Sequence, residues 1–223
     1  MKKYIIFIFV LLCSSRVLSQ GYQVNLQLPQ FKKGIAYLTY YMGGNLNVAD
    51  SSAVSNSGLA VFKGNKKLPG GIYVVVLPGR RLRTDFLIDK EQKIFIKVDT
   101  TDLLNKTVIS GSKENVLYMQ YQKYVSKKGR MLEDERRAFS ASVTKADSLM
   151  HEVNYNFLNA ELNTYRDNIV KKYPASMLAA LLKAMKEPVV PIVKPLTRDD
   201  SIKNYSFYKS HYWDGVTFMD DRI

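Results

Sequence analysis

The sequence predicts an α+β protein, with an N-terminal antiparallel β-sandwich or barrel followed by a helical region. Three observations carry this reading. Apolar residues alternate with period two from residue 22 to about residue 110, Gly- and Pro-containing turns interrupt that stretch at short intervals, and beyond Gly111 the apolar period becomes helical. Short strands joined by tight turns favour an antiparallel sandwich or barrel. Nothing between the strands has the pattern of a crossover helix, so a parallel pairing is not expected.

The first strand covers residues 22–28, with Tyr22, Val24, Leu26 and Leu28 on one side and Gln23, Asn25 and Gln27 on the other. A tyrosine-rich strand follows at 35–41, then shorter ones at 59–62, 72–77, 85–88, 94–98 and 107–109, each β-branched or aromatic. Gly43-Gly44-Asn45, Gly64-Asn65, Pro69-Gly70-Gly71, Pro78-Gly79 and Asp89-Lys90-Glu91 supply the turns between them.

Ser112 is a good N-cap, and Glu114 suits the positive end of a helix dipole. Leu117, Tyr121, Tyr124 and Val125 form one face of the helix they begin, which is expected to fray near 126–129. A long helix is then expected from about 132 to 172. Its stripe runs through Phe139, Val143, Ala146, Met150, Val153 and Phe157, and continues after a one-residue offset through Leu158, Leu162, Tyr165 and Ile169. Such a stripe calls for a covering partner, and Asn154 and Asn156 mark a break at the offset. Pro174 opens a helix over 175–186 that is apolar nearly all round, which predicts deep burial. Pro188, Pro191 and Pro195 then impose an extended strap, and a short helix follows over 197–209.

The N-terminus has the order of an export signal: Lys2 and Lys3, an apolar run from Tyr4 to Cys13, then Ser14, Ser15 and Arg16. A spanning helix needs roughly 20 apolar residues, about twice this run. Val17 and Ser19 are the small residues a signal peptidase reads, so residues 1–19 are expected to be removed, leaving Gln20 first. Cys13 raises a lipoprotein alternative, against which stands the bulk of Leu12. The expected location is the periplasm or the outer envelope, without a transmembrane segment after signal removal. The remaining chain divides into a β-rich domain, 20–111, and a helical domain, 112–223, expected to be incomplete at its C-terminus.

Composition is that of an ordinary globular protein, 46% apolar and 24% charged. Losing Lys2, Lys3 and Arg16 takes three charges from the formal +13 and leaves +10. The pairs Lys32-Lys33, Lys66-Lys67 and Lys171-Lys172 lie far apart and build no basic run, so nucleic acid is not an expected partner.

Cys13 is the single cysteine, so the exported chain is expected to lack a catalytic thiol, a disulfide and cysteine-bound zinc. The signatures G-x-S-x-G, G-x-G-x-x-G, the P-loop and H-E-x-x-H are absent from the sequence. His151 adjoins Met150 of the stripe and reads as a helix-surface residue. His211, with Trp213, Asp214, Asp220 and Asp221 nearby, is the one grouping that suggests a metal site or a hydrolase, against the plainer reading that the aromatics pack and the carboxylates cap or solvate. The 15 tyrosines could stack on sugars or peptides, though alternating tyrosines are ordinary in sheets. Asn105-Lys106-Thr107 and Asn204-Tyr205-Ser206 match the glycosylation sequon and are given no role. No catalytic, cofactor-binding or metal-ligating residue is assigned, and no cofactor is expected.

The segments Lys67-Leu68-Pro69-Gly70-Gly71-Ile72-Tyr73, Phe86-Leu87-Ile88-Asp89 and Ile109-Ser110-Gly111-Ser112-Lys113-Glu114-Asn115 resemble the uncharacterised β-rich domain at the N-terminus of many exported thioredoxin-like proteins. Tyr173-Pro174-Ala175-Ser176, Leu181-Leu182-Lys183-Ala184-Met185-Lys186-Glu187-Pro188 and Tyr208-Lys209-Ser210-His211-Tyr212-Trp213-Asp214 are similar to the helical domain that often follows it. In that family a thioredoxin fold of TlpA-like or peroxiredoxin-like type comes next, beyond the position matched by Asp220-Asp221-Arg222-Ile223. None of the matching positions is catalytic in the family. The resemblance therefore implies a non-catalytic envelope module, truncated or serving alone, that positions or binds a thioredoxin-like domain or another envelope protein. A stand-alone glycan- or peptide-binding protein is the alternative, and a hydrolase built on His211 and Asp214 is a third reading.

Overall fold

The computed structural model describes residues 21–79, 83–192, 194, 196–217 and 219. The expected signal peptide, Cys13 and the new terminus at Gln20 lie outside these residues, as do Pro195, Phe218, Asp220, Asp221, Arg222 and Ile223. In chain order the elements are β1 (Tyr22–Gln27), β2 (Ile35–Met42), β3 (Asn45–Ala53), β4 (Leu59–Gly64), β5 (Gly71–Val76), β6 (Arg83–Ile88), β7 (Lys93–Lys97), α1 (Leu103–Lys106), β8 (Val108–Ser110), α2 (Lys113–Ala141), α3 (Lys145–Lys172), α4 (Met177–Ala184) and α5 (Arg198–His211). The arrangement is α+β, two mostly antiparallel four-stranded sheets followed by helices.

One sheet has the order β4-β1-β7-β8 and the other β3-β2-β5-β6. Their inner faces close on each other over Val24, Leu26, Leu38, Phe62, Val75, Phe86, Ile94 and Ile96, all buried. Removing an apolar side chain of this kind from water contributes roughly 1.5–3 kcal/mol each. Two features depart from expectation. Strands β1 and β7 pair in parallel, Val24 beside Ile94 and Leu26 beside Ile96. No crossover helix is required, because β2 and β3, and after β4 also β5 and β6, carry the chain through the opposite sheet before β7 returns beside β1. The second departure is β3, unrecognised in sequence. Gly43 takes φ 58° at the hairpin turn, as the Gly-Gly pair implies, but Asn45 opens a strand rather than closing the turn. Its Asn, Asp and Ser residues are poor strand formers, tolerated at an edge where one side meets water. A register shift between Leu38 and Thr39 of β2 lets β3 follow the twist of the sheet.

The outer face of β5 and β6 carries the helices. On β6, Phe86 and Ile88 point into the sandwich, whereas Leu87 points out into a second cluster with Tyr118, Ile169, Met177, Leu178 and Leu182. Ser112 caps α2 as expected, its hydroxyl accepting from the Asn115 amide. Helix α2 does not fray at 126–129. It runs unbroken through Gly129, at a cost of about 1 kcal/mol against alanine, and ends at Ala141. The long helix expected over 132–172 is instead interrupted at 142–144, where Thr144 caps α3 by accepting from the Asp147 amide. Asn154 and Asn156, expected to mark a break, sit inside α3.

This shift divides the expected stripe. Leu158, Leu162 and Ile169 are buried where α3 meets α2, α4 and the sheet, whereas Phe139, Val143, Met150, Val153 and Phe157 are exposed, Val143 at 96%. The first half of the stripe kept phase across a turn, so its residues occupy two helices. Helix α4 is buried as predicted, and Thr197 opens α5 with a capping box closed by Asp200.

Candidate binding surfaces

Side-chain amides fasten the joints of the fold by one repeated device. Asn115 accepts from the Leu87 N–H at 2.8 Å and donates to the Leu87 carbonyl at 2.7 Å. Gln92 accepts from Leu68 N–H at 2.9 Å and donates to the carbonyls of Leu68 and Asp89. Asn204 accepts from Ile192 N–H and donates to the Ile192 carbonyl. Each amide sets its oxygen acceptor and one of its two N–H donors in the spacing of a backbone group, so it completes a residue whose own peptide groups have no ladder partner on that side. Leu68, Leu87 and Asn115 all fall within the motifs that carry the family resemblance. Asn204, read only as part of a sequon, binds the strap with its amide.

The tyrosines do not assemble into one platform. Tyr73 is buried in the sandwich and donates to the Pro69 carbonyl, while Tyr22 and Tyr40 pack against the core. Tyr22 also donates to Asp50 at 2.8 Å. Burial pushes the Tyr73 phenol up to about 12, and burial followed by the Asp50 carboxylate does the same for Tyr22. Tyr118, under the helices, is raised to about 12 by burial and then by Asp85. Tyr41 stands exposed on β2. On the hairpin, Tyr124 stacks on Tyr165 with centroids 3.9 Å apart, and Lys128 binds Glu161 at 2.6 Å.

His151, expected on a helix surface, lies across the hairpin from Glu135, its Nδ1 2.7 Å from Oε2. His211 stacks on Phe207 at 4.0 Å, with Nδ1 at 2.9 Å from the Phe207 carbonyl and from the Ser210 hydroxyl. Its ring is thus engaged within its own helical turn. Trp213 meets Tyr212 edge-on. His211 and Asp214 line one open groove beside Lys186 and Glu187, and Asp220 and Asp221 lie outside the described residues. Among the described residues no group of three or more His, Cys, Asp or Glu could hold a metal ion. No helix among them is long and apolar enough to cross a membrane.

Two carboxylates are desolvated, Asp85, to which the sequence reading gave no role, and Glu114, which it read only as complementing a helix dipole. Asp85 is raised by burial, with Arg83 opposing, and lines a cavity of ≈ 220 Å³ with Thr107, Met119 and Gln122. The Thr107 hydroxyl there is buried and unpaired. Glu114 is raised by burial although the amides of Met177 and Leu178, at the start of α4, favour its charged form. Both residues occupy the seam between sandwich and helices, a tertiary position that local sequence does not announce.

Fold and surfaces define a β-sandwich fastened to a long helical hairpin, with exposed apolar residues on the hairpin as well as on the strands. Residues 22–118 match a family model described as a domain of unknown function (DUF4369), which takes in the whole sandwich and the first turns of α2. Searches of curated proteins and of solved structures find no match to the chain.

Proposed function

We propose that this chain is a non-catalytic module of the cell envelope, exported to the periplasm or outer envelope, that holds a thioredoxin-like thiol-disulfide partner in position. The observation that carries the reading is the rigid seam. Asn115, on the first turn of α2, is tied to the sandwich edge, and Tyr118 one turn later is packed under Leu87, so the hairpin leaves the sandwich in a fixed direction. A fixed arm suits a spacer that sets the place of another domain. Further support comes from exposed Ile202 and Tyr205 on α5, apolar groups available to a partner. The family resemblance supplies the kind of partner, a thioredoxin-like domain carried by the same or another protein. Thiol-disulfide exchange needs an attacking thiolate, and the only cysteine is Cys13 in the export signal.

The test is a photo-crosslinking residue at Ile202 or Tyr205 in cells exporting the protein. The expected product joins the chain to a segment containing Cys-x-x-Cys, while the purified protein alone fails to reduce insulin. Crosslinks to unrelated proteins only, together with a glycan or peptide that raises the melting temperature, would favour the stand-alone binding alternative.

A further inference from the structure

The cavity between the edges of the two sheets holds two opposite charges that do not pair, and we infer that it binds a small zwitterion, an apolar α-amino acid, with Asp85 taking the ammonium and Arg83 the carboxylate. The inference is independent of the proposed function. Strands β6 and β8 are edges of their respective sheets, and α2 packs across both. The cavity of ≈ 220 Å³ beneath it is lined by Arg83 and Asp85 of β6, by Thr107 and Ile109 at β8, and by Met119 and Gln122 of α2. Leu103 and Leu104 of α1 complete its apolar wall.

Arg83 and Asp85 stand two residues apart on β6, so both side chains leave the same face of the strand. They form no ion pair with each other or with any other described residue. Arg83 favours the charged form of Asp85, but burial outweighs it and raises the carboxyl. A carboxylate so placed gains from a cation brought into the cavity with it. Polar groups beside it are also unmet. Thr107 lines the cavity, and its hydroxyl is buried with no partner among the described residues. Leu87 turns its N–H and C=O away from β5 to Asn115, and by the alternation of the strand Asp85 presents its own backbone groups on the same edge.

An ammonium has three N–H donors, and Asp85, Thr107 and the Gln122 carbonyl offer three acceptors. The guanidinium of Arg83, exposed at the mouth, suits a carboxylate. Leu103, Leu104, Ile109 and Met119 leave an apolar surface for the rest of the ligand. The cavity is smaller than the roughly 300–1,000 Å³ of sites for drug-sized molecules. At the volume of liquid water it holds about seven non-hydrogen atoms, the size of a small apolar amino acid.

Calorimetric titration of the exported protein with L-valine is expected to show one site. Propylammonium and isobutyrate each carry one of the two charges and should bind at least ~10-fold more weakly. L-Tryptophan, too large for the cavity, should not bind. Asp85→Asn removes a desolvated charge and Arg83→Gln an exposed one, so both should fold like the parent by circular dichroism, and each should weaken L-valine at least ~10-fold. Thr107→Val removes a buried, unpaired hydroxyl, so it should raise the melting temperature of the ligand-free protein and yet weaken L-valine. A merely structural residue would not couple a gain in stability to a loss of affinity. Failure of L-valine either to bind by calorimetry or to raise the melting temperature, equal binding of propylammonium, or binding indifferent to Asp85→Asn and Arg83→Gln would each overturn the inference.

Discussion

Asn115 meets Leu87 as a neighbouring strand would: its side-chain oxygen accepts from the Leu87 N–H at 2.8 Å, and its nitrogen donates to the Leu87 carbonyl at 2.7 Å. Strand β6 is the edge of its sheet, and Leu87 turns these groups away from β5. A free edge is thereby closed by one residue of a helix rather than by another strand. The same amide nitrogen reaches the Ser112 hydroxyl at 3.0 Å, so the cap of α2 and the sheet edge share one network.

Asn115→Ala would leave a buried donor and a buried acceptor on Leu87 without partners. Each such loss costs about 1–3 kcal/mol, so the variant should lose about 2–5 kcal/mol in urea denaturation. Asn115→Asp keeps the acceptor for Leu87 N–H but turns a carboxylate oxygen toward the Leu87 carbonyl, and should be no better than alanine. Hydrogen exchange should show the Leu87 amide deprotected in the alanine variant and better protected in the aspartate one. A change under about 0.5 kcal/mol would mean that packing alone holds the seam.

Gly111 and Gly43 should separate two costs of replacing glycine. Both have positive φ, 85° and 58°. A Cβ on Gly111 would come 2.5 Å from the Lys93 carbonyl oxygen, whereas one on Gly43 meets nothing within 4 Å. Gly43→Ala should cost about 1–2 kcal/mol, the left-handed backbone alone. Gly111→Ala adds a clash with the β7 backbone and should cost at least about 3 kcal/mol. Melting temperatures of the two variants check the ranking, and equal losses would contradict the close approach.

Proteolysis tests where the helical region is broken. Lys127, Lys128 and Arg130 lie within unbroken α2, so a protease must unfold several turns to reach them. The turn at 142–144 and the strap after α4 are open, with Val143 and Val189 among the most exposed apolar residues. Brief trypsin treatment should cut first after Lys145 and within 186–198, leaving the sandwich intact. First cuts after Lys127 or Arg130 would restore the break that the sequence suggested.

What the sequence hid has physical reasons. The strands with apolar alternation were legible, and so was the cap at Ser112, because these signals are local. Strand β3 was not, because NLNVADSSA has Val48 as its one β-branched residue and is held as a strand by β2 rather than by its own preference. The hairpin turn escaped because Phe139, Val143 and Ala146 keep helical phase straight across it, while its true signal, Thr144 capping onto Asp147, is short. Asn115 stood inside a quoted motif, yet its partner Leu87 is 28 residues away, and no local pattern identifies such a pair.

Alkaline pH should unfold the protein through its buried phenols. Tyr22, Tyr73 and Tyr118 are raised from 10.0 to about 12, burial being the largest cause in each. A phenol whose folded pKa lies above its unfolded value holds its proton more tightly in the folded state. Its contribution to stability is therefore complete below pH 10 and is lost as pH rises toward about 12. Absorbance at the tyrosinate band should include a late-rising part that appears only as circular dichroism reports loss of structure. Tyr73→Phe keeps the ring and removes the ionisable group, at the cost of the bond to the Pro69 carbonyl. It should be somewhat less stable at neutral pH yet lose less additional stability between pH 10 and 12 than the parent chain. If the variant and the parent lose stability in parallel across that window, ionisation of Tyr73 is not what the folded state opposes.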